Sequence, residues 1–111
     1  MKGVYMYSLI YYIPPGDHER VKQALFDCGA GKMGKYDECC WEVLGNGQFR
    51  AQCGSKPTIG KIGRLEKVTE YKVEMICEKS RIRHVLETLL KEHPYEQPAY
   101  FVSQVMTLEN L

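Results

Sequence analysis

Cysteine pairs at metal-binding spacing are missing from this chain. Its five cysteines, Cys28, Cys39, Cys40, Cys53 and Cys77, contain no C-x-x-C, which removes the strongest zinc and redox signatures. An odd count with two adjacent members also speaks against a disulfide framework. No apolar run approaches the ~20 residues of a membrane-spanning helix. The run Val4 to Ile13 follows Lys2, but it carries four tyrosines and runs into Pro14-Pro15-Gly16-Asp17. It has no small-residue cleavage site, so it is not read as a secretory leader. The formal net charge is +1, and no bulk excess of either sign draws the chain to nucleic acid or acidic lipid. Recognition helices, arginine clusters and basic aromatic sheet motifs are lacking too. Neither a Cys-His nor a Ser-His-Asp arrangement has supporting spacing. A non-enzymatic, cytoplasmic, reduced protein with no nucleic-acid or membrane partner is expected.

What is present is the composition of one globular domain, residues 1–111, with 44% hydrophobic and 26% charged residues. Val4 to Ile13 is rich in β-branched and aromatic residues and apolar on both faces, so it is expected to be a central strand. Asp17 is positioned to cap a helix with the stripe Val21, Ala24, Leu25 and Cys28, stopped by Gly29 at C′. Tyr36 to Leu44 predicts a second strand. Gly45-Asn46-Gly47 predicts a turn, and Gln48 to Gln52 a short returning arm. From Lys67 to Cys77 the alternation is that of a third strand. Ser80 then caps a helix with the stripe Ile82, Val85, Leu86, Leu89 and Leu90, which Pro94 ends. A final strand spans Ala99 to Thr107.

Strand, helix, strand, long loop, strand, helix, strand is the order of an α+β ferredoxin-like βαββαβ sandwich. Such a fold has an antiparallel sheet with two helices on one face, here with a glycine-rich arm and loop inserted. Because the helices cover one face, the apolar second face of the first strand calls for cover by another subunit.

Eight of the ten glycines lie between Gly29 and Gly63. Gly29 to Tyr36 nearly satisfies the phosphate-binding G-x-x-x-x-G-K-[ST]. It fails because Tyr36 stands where a magnesium-reaching hydroxyl is needed, and because these glycines end a helix rather than start one. A glycine C-cap and turn is the reading adopted. Between Gly45 and Leu65 the charged residues are Arg50, Lys56, Lys61 and Arg64, with no acid among them. Glycine-rich turns beside such cations form either a solvated loop or an anion site. His93-Pro94-Tyr95-Glu96 is the densest functional-looking cluster. With Cys39 or Cys53 approaching from the insertion, His93 and Glu96 are candidate ligands for a divalent metal such as zinc or copper. The alternative is a helix stop whose Tyr95 packs and whose Glu96 hydrogen-bonds a neighbour. His18, in the first helical turn, and His84, opposite the apolar stripe, are read as solvated.

The runs GAGKMGKYDECCW, GNGQFRA, GSKPTIGKIGRLEKV and HPYEQPAY resemble the CutA/PII-like domain inserted in YqfO proteins of the NGG-interacting factor three family. The resemblance extends from about Tyr7 to Val105 and departs at Ala51-Gln52, where relatives often carry Arg-Pro. In such relatives the domain lies between two halves that hold a two-metal site. Those halves are not part of these 111 residues, so the hydrolase chemistry attached to them is not expected here. The resemblance implies a homo-oligomer, typically a trimer. PII relatives bind nucleotides in intersubunit clefts, and CutA relatives are linked to divalent metals. The expectation is therefore an oligomeric binding or regulatory module. Its ligand or subunit cleft draws on Gly31, Gly34, Tyr36, Arg50, Lys61 and Tyr95. A CutA-like metal protein using His93, Glu96 and Cys39, and a PII-like nucleotide or anion sensor, are the alternatives.

Overall fold

The computed structural model describes residues 5–111. The elements are β1 (Met6–Ile13), α1 (Pro15–Asp27), β2 (Trp41–Arg50), β3 (Leu65–Glu78), α2 (Lys79–Glu92) and β4 (Tyr100–Val105), followed by a 3-10 turn at Leu108–Asn110. The sheet runs β2-β3-β1-β4 with every neighbouring pair antiparallel, which is the α+β ferredoxin-like sandwich. Val4, expected to open the first strand, lies outside the described residues.

Strand periodicity decides the core. Leu9, Tyr11 and Ile13 of β1 and Val73, Met75 and Cys77 of β3 point to one face, where they bury against Val21 and Leu25 of α1 and Val85 and Leu89 of α2. Burying each such aliphatic side chain is worth about 1.5–3 kcal/mol. Burial likewise pushes the Cys77 thiol up to about 11.

Both helix starts differ from the sequence expectation. Neither Asp17 nor Ser80 is a cap: α1 begins at Pro15 with Pro14 as N-cap, and α2 begins at Lys79 with Glu78 as N-cap. A proline at the first helical position loses nothing, since its missing N–H would have no partner there. Asp17 instead accepts from the Arg20 guanidinium at 3.0 Å. The stops agree with expectation. Gly29 follows the C-cap of α1 with φ 103°, and His93, held extended at ψ 137° before Pro94, ends α2.

The larger correction concerns the insertion. Gly45-Asn46-Gly47 is no turn; it pairs with Glu70, Thr69 and Val68 in one continuous β2. A turn signal is overridden when a longer partner strand is available, and β3 runs 14 residues. Tyr36, expected in the second strand, sits in a tight turn bridged to Met33. β1 reaches no further than Tyr71 along β3. Residues 65–70 therefore pair with residues 45–50 alone, as a two-stranded arm in a molecule 49 Å long.

Among the described residues, no helix covers the second sheet face. Trp41, Glu74, Ile10 and Phe101 are register partners across all four strands and form one row on that face. Trp41 is 69% exposed and Phe101 63%.

The helix stripe carries a direct test. Leu89 is fully buried, whereas Leu90, assigned to the same stripe, is 46% exposed. Leu89→Ala is expected to destabilise by about 2–5 kcal/mol, and Leu90→Ala by less than about 1 kcal/mol. Urea unfolding of the two variants measures the difference.

Candidate functional site

Where β1 ends and the arm departs, the loop 51–64 folds back against the turn that follows α2. The Lys56 backbone N–H donates to both Glu96 carboxylate oxygens at 3.1 Å, and the Thr58 hydroxyl donates to the Pro94 carbonyl at 3.0 Å. Between arm, loop and turn lies a cleft of about 890 Å³, within the range of small-molecule sites. Arg50, Lys72, Glu70 and Glu96 are among its lining residues, as are Phe49 and Tyr95.

His93 anchors this turn from below. Its Nε2 lies 2.6 Å from the Tyr12 carbonyl, and its Nδ1 lies 3.1 Å from the Tyr95 backbone nitrogen. A carbonyl can only accept and an amide N–H can only donate, so the neutral imidazole carries its proton on Nε2. Both nitrogens are thereby committed. Burial pushes the imidazole below its ordinary value, against the Tyr12 hydrogen bond and the Glu70 and Asp17 charges. Tyr95 packs on the His93 ring with centroids 4.9 Å apart. Its hydroxyl is buried beside the Glu70 carboxylate. Burial, then the charge of the neighbouring Glu70 carboxylate and a hydrogen bond with it, pushes it up to about 12, so it remains a protonated phenol.

The residues singled out from the sequence divide between two ends of the sheet. Arg50, Tyr95 and Glu96 meet at the cleft, over His93, while Lys61 is exposed elsewhere on the loop. Gly31, Gly34, Tyr36 and Cys39 stand together at the other end, after α1. There the Gly31 N–H donates to the Ile76 carbonyl at 2.8 Å and Cys39 N–H donates to the Gly31 carbonyl at 2.8 Å. Gly31 has φ 81°, and a Cβ on it would stand 2.8 Å from both the Cys39 carbonyl oxygen and the Phe26 ring. The glycine motif is thus a close-packed turn. His93, Glu96 and Cys39 do not converge as a ligand set. Among the described residues, the three-donor group within 4.8 Å is His18, Glu19 and Glu42.

That group differs from the reading of His18 as solvated. His18 is 2% exposed and stacks on Tyr71 with ring centroids 4.2 Å apart. Its Nε2 lies 3.0 Å from Glu42 Oε1, and Lys22 Nζ lies 2.9 Å from the same oxygen. The signal was present in the sequence: the stripe through Leu25 and Val21, continued by three residues, reaches His18.

The architecture is that of the CutA and PII proteins. The chain superposes on CutA from Synechococcus elongatus with a TM-score of 0.69 at 15% identity, covering 96% of this chain and 81% of that one. It matches GlnK in a Bacillus subtilis GlnK–ATP complex with a TM-score of 0.63 at 17% identity, covering 95% and 84%. At these identities the likeness concerns the fold alone. By sequence the chain is similar to a GTP cyclohydrolase 1 type 2 homolog of Mycobacterium tuberculosis, with 41% identity over 91 residues, 82% of this chain and 24% of that protein. The crystal structure of a Bacillus cereus protein related to NIF3 matches at 34% identity with a TM-score of 0.81, over 94% of this chain and 26% of its own. The chain therefore spans about a quarter of the length of the curated relatives it matches. No protein-family model matches it.

The cleft inherits a pH dependence from His93. The folded state holds the imidazole neutral with a lowered pKa, while the unfolded chain takes up a proton near 6.5. The unfolded state thus binds more protons in acid. The stabilisation is full above that value and is lost as pH falls through it towards the lowered native value. Urea midpoints are expected to fall from about pH 7.5 to about pH 5, and His93→Gln is expected to flatten that dependence.

Proposed function

We propose that residues 1–111 act as a non-enzymatic, self-associating binding or regulatory module, of the kind inserted in the YqfO-type relatives. Three copies would cover one another's open sheet faces, and the cleft beneath each arm would receive a small ligand. The observation that carries this reading is the cleft. It is large enough for a ligand, it is flanked by a loop tied down at Glu96 and Pro94, and Tyr95 stands in its wall. His93, the histidine beneath it, has both ring nitrogens bound to backbone and offers no free base. The exposed Trp41 and Phe101, in one row with Glu74 and Ile10 on the open face, support self-association. Five free cysteines suit a reducing cytoplasm, and no helix among the described residues is long and apolar enough to cross a membrane.

A nucleotide is the ligand class with specific support. Arg50 and Lys72, both in the cleft lining, are candidate cations for phosphates, and Phe49 and Tyr95 in the same lining are candidate surfaces for a base. The GlnK–ATP neighbour shows that a fold of this type accommodates ATP.

Light scattering is expected to return about three times the 12.8 kDa chain mass; a monodisperse monomer at micromolar concentration contradicts the module. Calorimetry with ATP and GTP tests the ligand class separately. Binding is expected to weaken about tenfold or more in Arg50→Ala. Absence of heat with either nucleotide removes the nucleotide reading and leaves self-association to stand on its own measurement.

A further inference from the structure

On the helical side of the sheet, away from the cleft, α1 and the start of β2 enclose a polar group of a different kind. His18, Glu19 and Lys22 project from α1 towards Glu42 of β2. The Lys22 ammonium bridges the two carboxylates, at 3.1 Å from Glu19 Oε1 and 2.9 Å from Glu42 Oε1. Burial opposes its charge, but those two hydrogen bonds outweigh burial and hold the ammonium firmly protonated. The Lys22 ammonium, ahead of His18, in turn keeps the Glu42 carboxyl below the usual range.

Two deeply buried groups at this place keep an unpaired polar atom among the described residues. His18 Nε2 pairs with Glu42 Oε1 at 3.0 Å, while its Nδ1 is buried without a partner among the described residues. The Tyr11 hydroxyl, on a fully buried side chain, has none either, and it feels the charges of Glu42 and Glu19. A buried polar atom left unpaired is costly, and the Tyr11 hydroxyl and His18 Nδ1 are such atoms beside a three-donor group.

We propose that His18, Glu19 and Glu42 form a site for a divalent transition-metal ion of the zinc type, and that Lys22 is its occupant when metal is absent. One imidazole nitrogen and two carboxylates make a three-ligand N/O set. Glu19 is exposed and leaves an open side towards solvent, where water completes the coordination. The ring of His18 is pre-oriented by its stack on Tyr71, and the buried Tyr11 hydroxyl lies in the field of both carboxylates. An imidazole ligand selects against magnesium and calcium, which take oxygen. Metal entry exchanges one cation for another: Lys22 swings out along its flexible stem, and the carboxylates keep a positive partner throughout.

Titration of the purified protein with zinc chloride, followed by calorimetry, tests this. One zinc per chain is expected, unaffected by excess magnesium. His18→Gln and Glu42→Gln are each expected to weaken it by at least about tenfold. Lys22→Met is expected to tighten it by about tenfold or more, because the competing cation is gone. Glu42 is partly exposed, so its variant remains informative should His18→Gln fail to fold. Zinc affinity unchanged in Glu42→Gln, or no tighter in Lys22→Met, overturns the proposal. Loss of binding in Glu96→Gln with retention in His18→Gln also overturns it and moves the site to the turn after α2.

Discussion

β1 is hydrogen-bonded on both edges and carries apolar side chains on both faces, yet both helices lie on one side of it. Most of the molecule follows from that constraint. Leu9, Tyr11 and Ile13 collect the helices and set the core. Ile10, with Trp41 and Phe101 as row partners, leaves the opposite face partly apolar and open. A sheet of this kind exposes a patch that soluble proteins ordinarily cover, and with two helices already used, a second copy of the chain is the cover closest to hand. Where β1 stops, β2 and β3 continue as an arm, and the cleft forms in the angle between them.

The order of elements could be read from the residues because hydrophobic period changes cleanly along the chain, from two in Thr69 to Cys77 to three and four in Ile82 to Leu89. Helix stops were legible for the same local reason: Gly29 permits a left-handed backbone and Pro94 forbids His93 a helical one. The arm was not legible. Gly45-Asn46-Gly47 has every local mark of a turn, and its extended state depends on pairing with residues 68–70, which are distant in sequence. Helix starts were misplaced because Asp17 and Ser80 are good caps in isolation, while the actual N-caps, Pro14 and Glu78, bind no side chain to the helix end.

Site residues divide along the same line. The cluster 93–96 announced itself by density, and the structure sets Tyr95 and Glu96 beside Arg50. The use made of His93 was hidden, since its partners are backbone groups of Tyr12 and Tyr95 rather than side chains with a signature. His93 functions as a strut between β1 and the post-helix turn. His18 extends the apolar stripe one turn before Val21, and a histidine in a first helical turn reads as solvated. Its partner Glu42 lies 24 residues on, across an irregular segment.

Trp41 is the single tryptophan, and it stands on the open face at 69% exposure in one chain. Its fluorescence therefore reports directly on whether that face is covered. Blue-shifted emission, protected from iodide at working concentration and shifting to the red on dilution, is the result expected of a face buried between copies. Emission of a fully hydrated indole, freely quenched and indifferent to concentration, would contradict it.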